Sequence, residues 1–92
     1  MPGPSSDFFH RRGILTHSAP SGVLAKARSI IVRLEAGTPY WKFHGKRLQW
    51  NRRVISIPVG RSWRILAEDA GGQVRARQVL SHSSYDHRLT SI

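Results

Sequence analysis

The sequence predicts one small α+β domain, an antiparallel sheet of three to four strands with a helix packed on one face. Two neighbouring runs predict the sheet, because 53–59 is rich in β-branched residues and 62–67 alternates Trp63, Ile65 and Ala67 with other residues. A stretch at 18–36 predicts the helix, because its apolar residues recur at three- and four-residue steps. A chain of 92 residues has room for one such domain.

The N-terminal segment 1–12 is predicted to be a flexible basic arm, and 13–92 to be the single folded domain. The first seven residues are mostly Pro, Gly and Ser, which have little apolar surface to bury. Phe8 and Phe9 precede a His-Arg-Arg run and leave two alternatives. They form a docking arm, or they pack on the core while the arginines stay solvated. The next stretch, 13–17, is a candidate short first strand.

The predicted helix begins near Ser18 or Ser21, either of which can cap its free N–H groups. It ends near Ala36, since Gly37 suits a helix terminus and Pro39 cannot continue the helix. One face of this helix is apolar and needs the sheet as its partner. That face comprises Val23, Leu24, Ala27, Ile30, Ile31 and Leu34.

The stretch 38–50 interleaves aromatic residues with cations. Rings stack on bases while cations bind phosphates, so this pattern is typical of nucleic-acid binding. The alternative, of equal weight, is that Tyr40, Trp41 and Phe43 fill the joint between helix and sheet.

A hairpin is predicted next, with Gly60 and Arg61 as a two-residue type II′ turn. Pro58 lacks an N–H group, so its strand lies at an edge or Pro58 faces outward near the turn. Residues 68–72 are predicted to form a second turn, and 74–82 a last strand. A capped turn or fraying helix is expected over 83–89.

The charge distribution predicts a polyanionic partner. The net charge is +10, and no acidic residue lies between Glu35 and Glu68. Nucleic acid and an acidic protein are the candidates, and a membrane is the weakest, since no apolar run approaches the roughly 20 residues that span a bilayer. The chain has no Cys and no N-terminal signal segment. We therefore expect a cytoplasmic protein without disulfides.

The polar residues favour chemistry without a metal or cofactor. The five acidic residues are scattered, and adjacent Glu68 and Asp69 alone make a poor metal site. A hydrolase built from Ser81, His82 and Asp86 is disfavoured, because neighbouring strand residues point to opposite faces.

Metal-free RNA cleavage remains, and it needs a base, an acid and cations on the phosphate. His82 and Tyr85 can move protons, and the available cations are Lys46, Arg53, Arg61 and Arg64. The alternative for His82 is a half-buried histidine bonded to a backbone carbonyl.

The order of these parts resembles the RelE/ParE superfamily of bacterial toxins, most closely a ParE-like toxin domain. The motif that carries the resemblance is 59–66, Val-Gly-Arg-Ser-Trp-Arg-Ile-Leu, preceded by Gly-Lys-Arg-Leu at 45–48 and followed by Val-Leu-Ser-His at 79–82 and by Tyr85. The turn from Gly60 to Arg64 is one residue longer than the usual pattern, and Ala67 stands where many members have Tyr. The resemblance covers about 23–89.

The resemblance implies the toxin of a type II toxin–antitoxin system, neutralised by a cognate antitoxin protein. RelE-like members cut mRNA on the ribosome without a metal or cofactor. On that pattern Arg64, His82 and Tyr85 are the expected catalytic residues, and the expected nucleic-acid contacts are Lys42, Lys46, Arg47, Arg53 and Arg61. ParE-like members instead inhibit DNA gyrase without an enzymatic reaction, and a non-catalytic RNA-binding domain is the third alternative.

Overall fold

The computed structural model describes residues 4–83, which form two helices and a four-stranded antiparallel sheet. The helices are α1 (Pro4–Arg11) and α2 (Ser21–Glu35), and a short 3₁₀ helix spans Tyr40–Phe43. The strands follow in the order β1 (Lys46–Arg47), β2 (Val54–Val59), β3 (Trp63–Ala70) and β4 (Gln73–Ser81). The predicted α+β class with a helix on one face of the sheet is confirmed. No helix in this described part of the chain is long and apolar enough to cross a membrane.

Helix α2 packs on the sheet through the predicted apolar stripe. Ala27, Ile31 and Leu34 are buried, and the other stripe residues pack partly buried around the same core. The helix ends as predicted, because Gly37 has φ of +102° and the N–H of Thr38 bonds the carbonyl of Arg33 at 2.9 Å. The predicted serine cap is wrong, since Pro20 occupies the N-cap position and no side chain bonds the first turn.

Helix α1 (Pro4–Arg11) lies within the segment for which the sequence predicted a flexible basic arm. Phe8 and Phe9 are buried, Phe9 to 1% exposure, which is the alternative of core packing. Arg12 stacks its guanidinium 3.7 Å from the centre of the Phe8 ring and forms an ion pair with Glu35 at 2.7 Å. An eight-residue helix is unstable alone, so these tertiary contacts must stabilise it.

The predicted first strand at 13–17 is reduced to one parallel bridge beside β4. The N–H of Leu15 bonds the carbonyl of Arg77 at 3.0 Å, and the N–H of Val79 bonds the carbonyl of Leu15 at 2.7 Å. The bridge connects the segment after α1 to the outer edge of β4.

The β2–β3 hairpin is present, but its turn is one residue longer than predicted. Val59 pairs with Trp63, which leaves Gly60, Arg61 and Ser62 in the connection instead of a two-residue turn. Pro58 lies next to this turn and beyond the end of β1, which pairs only with Ile55 and Ser56. The nitrogen of Pro58, which carries no hydrogen, therefore has no strand beside it that needs a hydrogen-bond donor, as predicted.

The β3–β4 turn is shorter than predicted, because β3 continues through Ala70. Only Gly71 and Gly72 form the turn, and both have positive φ, as a type I′ hairpin requires. Asp69 fits in the strand because its carboxylate accepts a bond from the N–H of Gly72 at 2.9 Å.

Strand alternation gives the sheet two distinct faces. The face toward α2 carries Ile55, Ile57, Ile65 and Val79, all fully buried. The opposite face, which we call the open face, carries Ser56, Pro58, Arg64 and Leu66 in adjacent register positions. The open face therefore carries Arg64, one of the predicted site cations.

Candidate nucleic-acid groove on the open face

A groove crosses the open face between β1 and the start of β3, enclosing about 600 Å³. Its wall combines basic and polar side chains with the apolar surface of Leu48 and Pro58. The lining residues are His44, Lys46, Arg47, Leu48, Gln49, Ser56, Pro58 and Arg64. Three of the predicted site cations thus lie along one groove, and we call it the open-face groove.

Arg64 and His82, two of the three predicted catalytic residues, lie together at the β3 end of this groove. Nε of Arg64 donates to Nδ1 of His82 at 3.4 Å, which is a long hydrogen bond. Nη1 of Arg64 donates to Oγ of Ser56 at 3.2 Å. The guanidinium is therefore directed by partners on both neighbouring strands.

His82 is held at the end of β4 by its backbone. Its N–H bonds the carbonyl of Ser62 at 2.6 Å, which continues the β3–β4 pairing by one residue. Its side chain is exposed, unlike the half-buried histidine of the alternative interpretation. Because Nδ1 accepts from Arg64, a neutral ring carries its proton on Nε2 in this arrangement. The basic lone pair of His82 therefore faces the guanidinium.

Ser56 was not predicted as a site residue. It lies in the middle of β2, is 4% exposed, and its hydroxyl accepts from Arg64. A buried hydroxyl is costly unless it is hydrogen-bonded. Its only sequence signal is one polar residue within an otherwise apolar run, Val-Ile-Ser-Ile-Pro-Val at 54–59.

Lys46 and Arg47 are neighbours in β1 but belong to different faces. Lys46 pairs with Ser56 and so lies on the open face, whereas Arg47 pairs with the core residue Ile55. Lys46 is thus placed across the groove from Arg64.

Arg47 forms structural contacts with its guanidinium, although it also contributes to the groove wall. Its Nη2 binds the Asp69 carboxylate at 2.7 Å, and Nε donates to the hydroxyl of Tyr40 at 3.2 Å. Nη1 donates to the carbonyl of Arg52 at 2.7 Å. The Arg47 guanidinium and, less strongly, the N–H of Gly72 lower the pKa of the Asp69 carboxyl. Arg47 therefore links the 3₁₀ segment, the β1–β2 loop and β3.

The other three predicted nucleic-acid contacts are exposed but lie outside the groove lining. Lys42 is in the 3₁₀ helix, Arg53 in the β1–β2 loop, and Arg61 in the β2–β3 turn. The structure does not bring them together with Arg64 and His82. Tyr85, the third predicted catalytic residue, lies outside the described residues, as does most of the turn or helix expected over 83–89.

The aromatic residues of 38–50 divide between the two alternatives. Tyr40 and Phe43 are partly buried and pack against the core. Trp41 and Trp50 are 63% and 53% exposed. The first pair fills the joint between helix and sheet, and the second pair leaves ring surface in contact with solvent.

Gly45 lets the chain pack closely against β2 at the edge of the groove. A Cβ atom at this position would lie 2.9 Å from Cγ1 of Ile57 and 2.9 Å from the carbonyl oxygen of Tyr40. Glycine therefore lets the backbone lie directly on the buried strand β2. The residues on either side of it, His44 and Lys46, both line the groove.

Comparison with known proteins identifies the family. A family model described as the ParE-like toxin domain matches residues 21–87, from the first residue of α2 to beyond the end of β4. The chain belongs to the ParE-like toxin family. It is a toxin of the RelE/ParE superfamily, the toxin component of a toxin–antitoxin system whose family implies the type II class and an antitoxin partner. No curated protein and no solved structure matches the chain.

The groove and the residues beside it carry several kinds of polar group. Among residues 4–83, no group of three or more His, Asp or Glu side chains lies close enough together to hold a metal ion. Around the groove lie two guanidinium groups, one ammonium, one buried hydroxyl, one side-chain amide and two imidazoles. These groups can bind a phosphodiester and exchange protons with it.

Proposed function

We propose that this ParE-like toxin is a ribosome-dependent mRNA endoribonuclease that works without a metal ion, and that the open-face groove is its active site. The observation that carries the proposal is the pairing of Arg64 with His82 at 3.4 Å beside a groove that also contains Lys46. A cation and a proton acceptor at this separation match what cleavage at a ribose 2′-hydroxyl needs.

In the proposed reaction, His82 takes the proton from the 2′-hydroxyl through Nδ1. The 2′-oxygen then attacks phosphorus and the bond to the 5′-oxygen breaks, which leaves a 2′,3′-cyclic phosphate. The 5′-oxygen departs as a hydroxyl after it receives a proton from an acid, and Tyr85 is one residue of the sequence that can transfer protons. The RNA and the protein side chains supply and accept every proton and electron pair in this reaction.

Arg64 and Lys46 bind the reacting phosphate from two sides of the groove. Negative charge grows on the non-bridging oxygens as the 2′-oxygen adds, so fixed cations lower the barrier more than they tighten substrate binding. Ser56 directs one nitrogen of Arg64, and His82 accepts from another. When a phosphate draws the guanidinium into the groove, the Nδ1 lone pair becomes available for the 2′-hydroxyl.

A second candidate function is non-enzymatic inhibition of DNA gyrase. It is favoured by the family match itself, because the matching model is ParE-like and members of that type are expected to poison gyrase. A non-catalytic RNA-binding domain is the third candidate, and the net charge of +10 favours it. Each candidate predicts a different result in the following experiment.

The test is induced expression in a bacterium, followed within minutes by primer extension on an abundant mRNA. We expect new 5′ ends at codon-phased positions with the wild type, and none with His82→Ala or Arg64→Ala. Exposed residues far from the groove provide matched controls, His10→Ala on α1 and Arg33→Ala on α2.

Growth arrest with intact mRNA and DNA-damage signalling would replace the nuclease with the gyrase inhibitor. Cleavage retained by both His82→Ala and Arg64→Ala would refute the site. RNA affinity that falls steeply with salt, with neither arrest nor cleavage, would leave the RNA-binding domain.

A further inference from the structure

The open-face groove contains a second histidine that no sequence motif singled out as catalytic. His44 lines the same groove as Lys46, Ser56 and Arg64. Its side chain is exposed, and its imidazole makes no hydrogen bond with the residues that the structure describes. A proton-transfer group is therefore present on the side of the groove opposite His82.

The register of the sheet places His44 level with Arg64. Lys46 pairs with Ser56 in an antiparallel register. His44, two residues earlier, therefore lies alongside Pro58, whose partner on β3 is Arg64. Adjacent strands are about 4.8 Å apart, so the backbones of His44 and Arg64 are separated by roughly 10 Å across the open face. This distance suits two side chains that contact one phosphodiester between them.

His82 approaches Arg64 from the opposite direction. It follows β4, the strand on the other side of β3, and its Nδ1 lies 3.4 Å from Nε of Arg64. The guanidinium thus lies between one imidazole on the β1 side and one on the β4 side. A phosphate bound to Arg64 would therefore lie between the two imidazoles.

The backbone of His44 is fixed in a conformation that residues with a Cβ seldom adopt. Its φ is +63°, in the left-handed region. The N–H of His44 bonds the carbonyl of Trp41 at 3.2 Å, and the N–H of Gly45 bonds that of Tyr40 at 3.2 Å. The close packing of Gly45 on Ile57 then fixes the following residue. His44 is therefore presented by a rigid connection and not by a loose loop.

We propose that His44 is the catalytic acid that protonates the leaving 5′-oxygen. This inference rests on the proposed endoribonuclease function and assigns its second proton-transfer step. The His44 imidazolium transfers a ring proton to the 5′-oxygen as the phosphorus–oxygen bond breaks, while neutral His82 receives the 2′-hydroxyl proton. The two rings end in exchanged protonation states, and proton exchange with water restores them.

The geometry also assigns which histidine takes which role. Arg64 donates to Nδ1 of His82, an interaction that only a ring with an unprotonated Nδ1 accepts, so His82 suits the base. No such donor is hydrogen-bonded to the His44 ring among the described residues. The substrate class is a single-stranded RNA phosphodiester with a free 2′-hydroxyl.

The test compares two leaving groups in ribosome complexes programmed with synthetic mRNA. One mRNA is unmodified, and the other carries sulfur in place of the 5′-bridging oxygen at the cleaved position. A thiolate leaves without protonation, so the modified mRNA does not need the acid. We expect His44→Asn to lower the cleavage rate of the unmodified mRNA by about 100-fold or more, since proton transfer contributes about 10²–10⁴-fold. With the sulfur substrate, we expect the rate to return to within about tenfold of wild type.

Three variants besides His44→Asn make the result specific. Asn and Gly both tolerate positive φ, so His44→Asn and His44→Gly should fold and show the same loss and the same rescue. His17→Asn is the matched control, because His17 also has positive φ, +49°, is exposed and does not line the groove. His82→Asn should lose cleavage of both substrates, because sulfur does not replace the base.

Three outcomes would overturn the assignment. If His44→Asn and His44→Gly cleave unmodified mRNA at the wild-type rate, His44 has no catalytic role. If they lose cleavage and sulfur does not restore it, His44 is not the acid. If sulfur instead rescues Tyr85→Phe, the acid is Tyr85. Absence of cleavage by the wild type itself would overturn the proposed function, and the inference with it. The wild-type protein alone shows that result, so it is not confused with a failure of the His44 assignment.

Discussion

Replacing Gly45 with alanine tests whether close packing under the groove holds the site in place. The added methyl group would lie 2.9 Å from Cγ1 of Ile57 and from the carbonyl oxygen of Tyr40, and 3.1 Å from Cδ2 of Tyr40. Ordinary contacts begin near 3.4 Å, so the neighbours must move by about half an ångström. Ile57 is completely buried, and the Tyr40 oxygen belongs to the backbone, so neither can move cheaply.

The expected loss of stability follows from this overlap. Overpacking a well-filled core costs about 1–3 kcal/mol, and the lower entropy of an unfolded chain with alanine offsets about 0.4–1 kcal/mol of that. Taking the middle of each range, about 2 and about 0.7 kcal/mol, we expect the free energy of unfolding to fall by about 1.3 kcal/mol. For a domain of this size, that corresponds to a Tm lower by roughly 5–10 °C.

Thermal and urea unfolding followed by circular dichroism measure this effect, and Gly22→Ala is the matched control. Gly22 lies in α2 with nothing within 4 Å of an added Cβ. The same chemical change there should raise stability by about 0.4–1 kcal/mol, because alanine favours helix. The two substitutions thus have opposite predicted signs. A Gly45→Ala variant as stable as the wild type would refute the packing argument and the placement of His44 and Lys46 that depends on it.

Three further predictions concern α1, the ion pair at β3 and the hydroxyl beneath the groove. Phe9→Ala should lower the free energy of unfolding by about 3–5 kcal/mol in urea titrations, because Phe9 is 1% exposed, and an unchanged midpoint would mean that α1 is not docked. Arg47 lowers the pKa of Asp69, so the stabilisation by that carboxylate is complete above its unfolded pKa of about 3.9 and is lost as pH falls through the lower folded pKa. The stability gap between wild type and Asp69→Asn should therefore be constant above about pH 5 and shrink in acid, and a gap independent of pH would contradict the coupling. Ser56→Ala should slow the proposed cleavage by about tenfold, as expected for a lost hydrogen bond to a charged group, and cleavage at the wild-type rate would refute a role of Ser56 in directing Arg64.

The elements that the sequence predicted well are those with a local periodic signal. The apolar stripe of α2 and the helix stop at Gly37 were correct because helix packing and a left-handed terminus leave local patterns. Strands β2 and β3 were found through their β-branched and alternating residues. Helix α1 was missed because its stability comes from the burial of Phe8 and Phe9 against distant elements. A run of eight residues has too few turns to show a helical period.

The candidate site was only partly predictable, for a related reason. The family pattern named Arg64 and His82, and the structure brings them together across β3 and β4. The sequence around Ser56 and His44 contained no local signal for a site. The role of a buried hydroxyl, or of a histidine in left-handed conformation, depends on which residues the sheet places beside it.

The choice between Lys46 and Arg47 shows how one backbone contact determines the chemistry of the groove. A two-residue strand has no alternation of its own, so its register must be set from outside. Gly45 supplies that constraint by packing on Ile57, which leaves Lys46 opposite Ser56 and Arg47 opposite Ile55. A slip by one residue would exchange the two faces. Gly45, which has no side chain, therefore fixes which cation faces the groove and which one forms the structural ion pair.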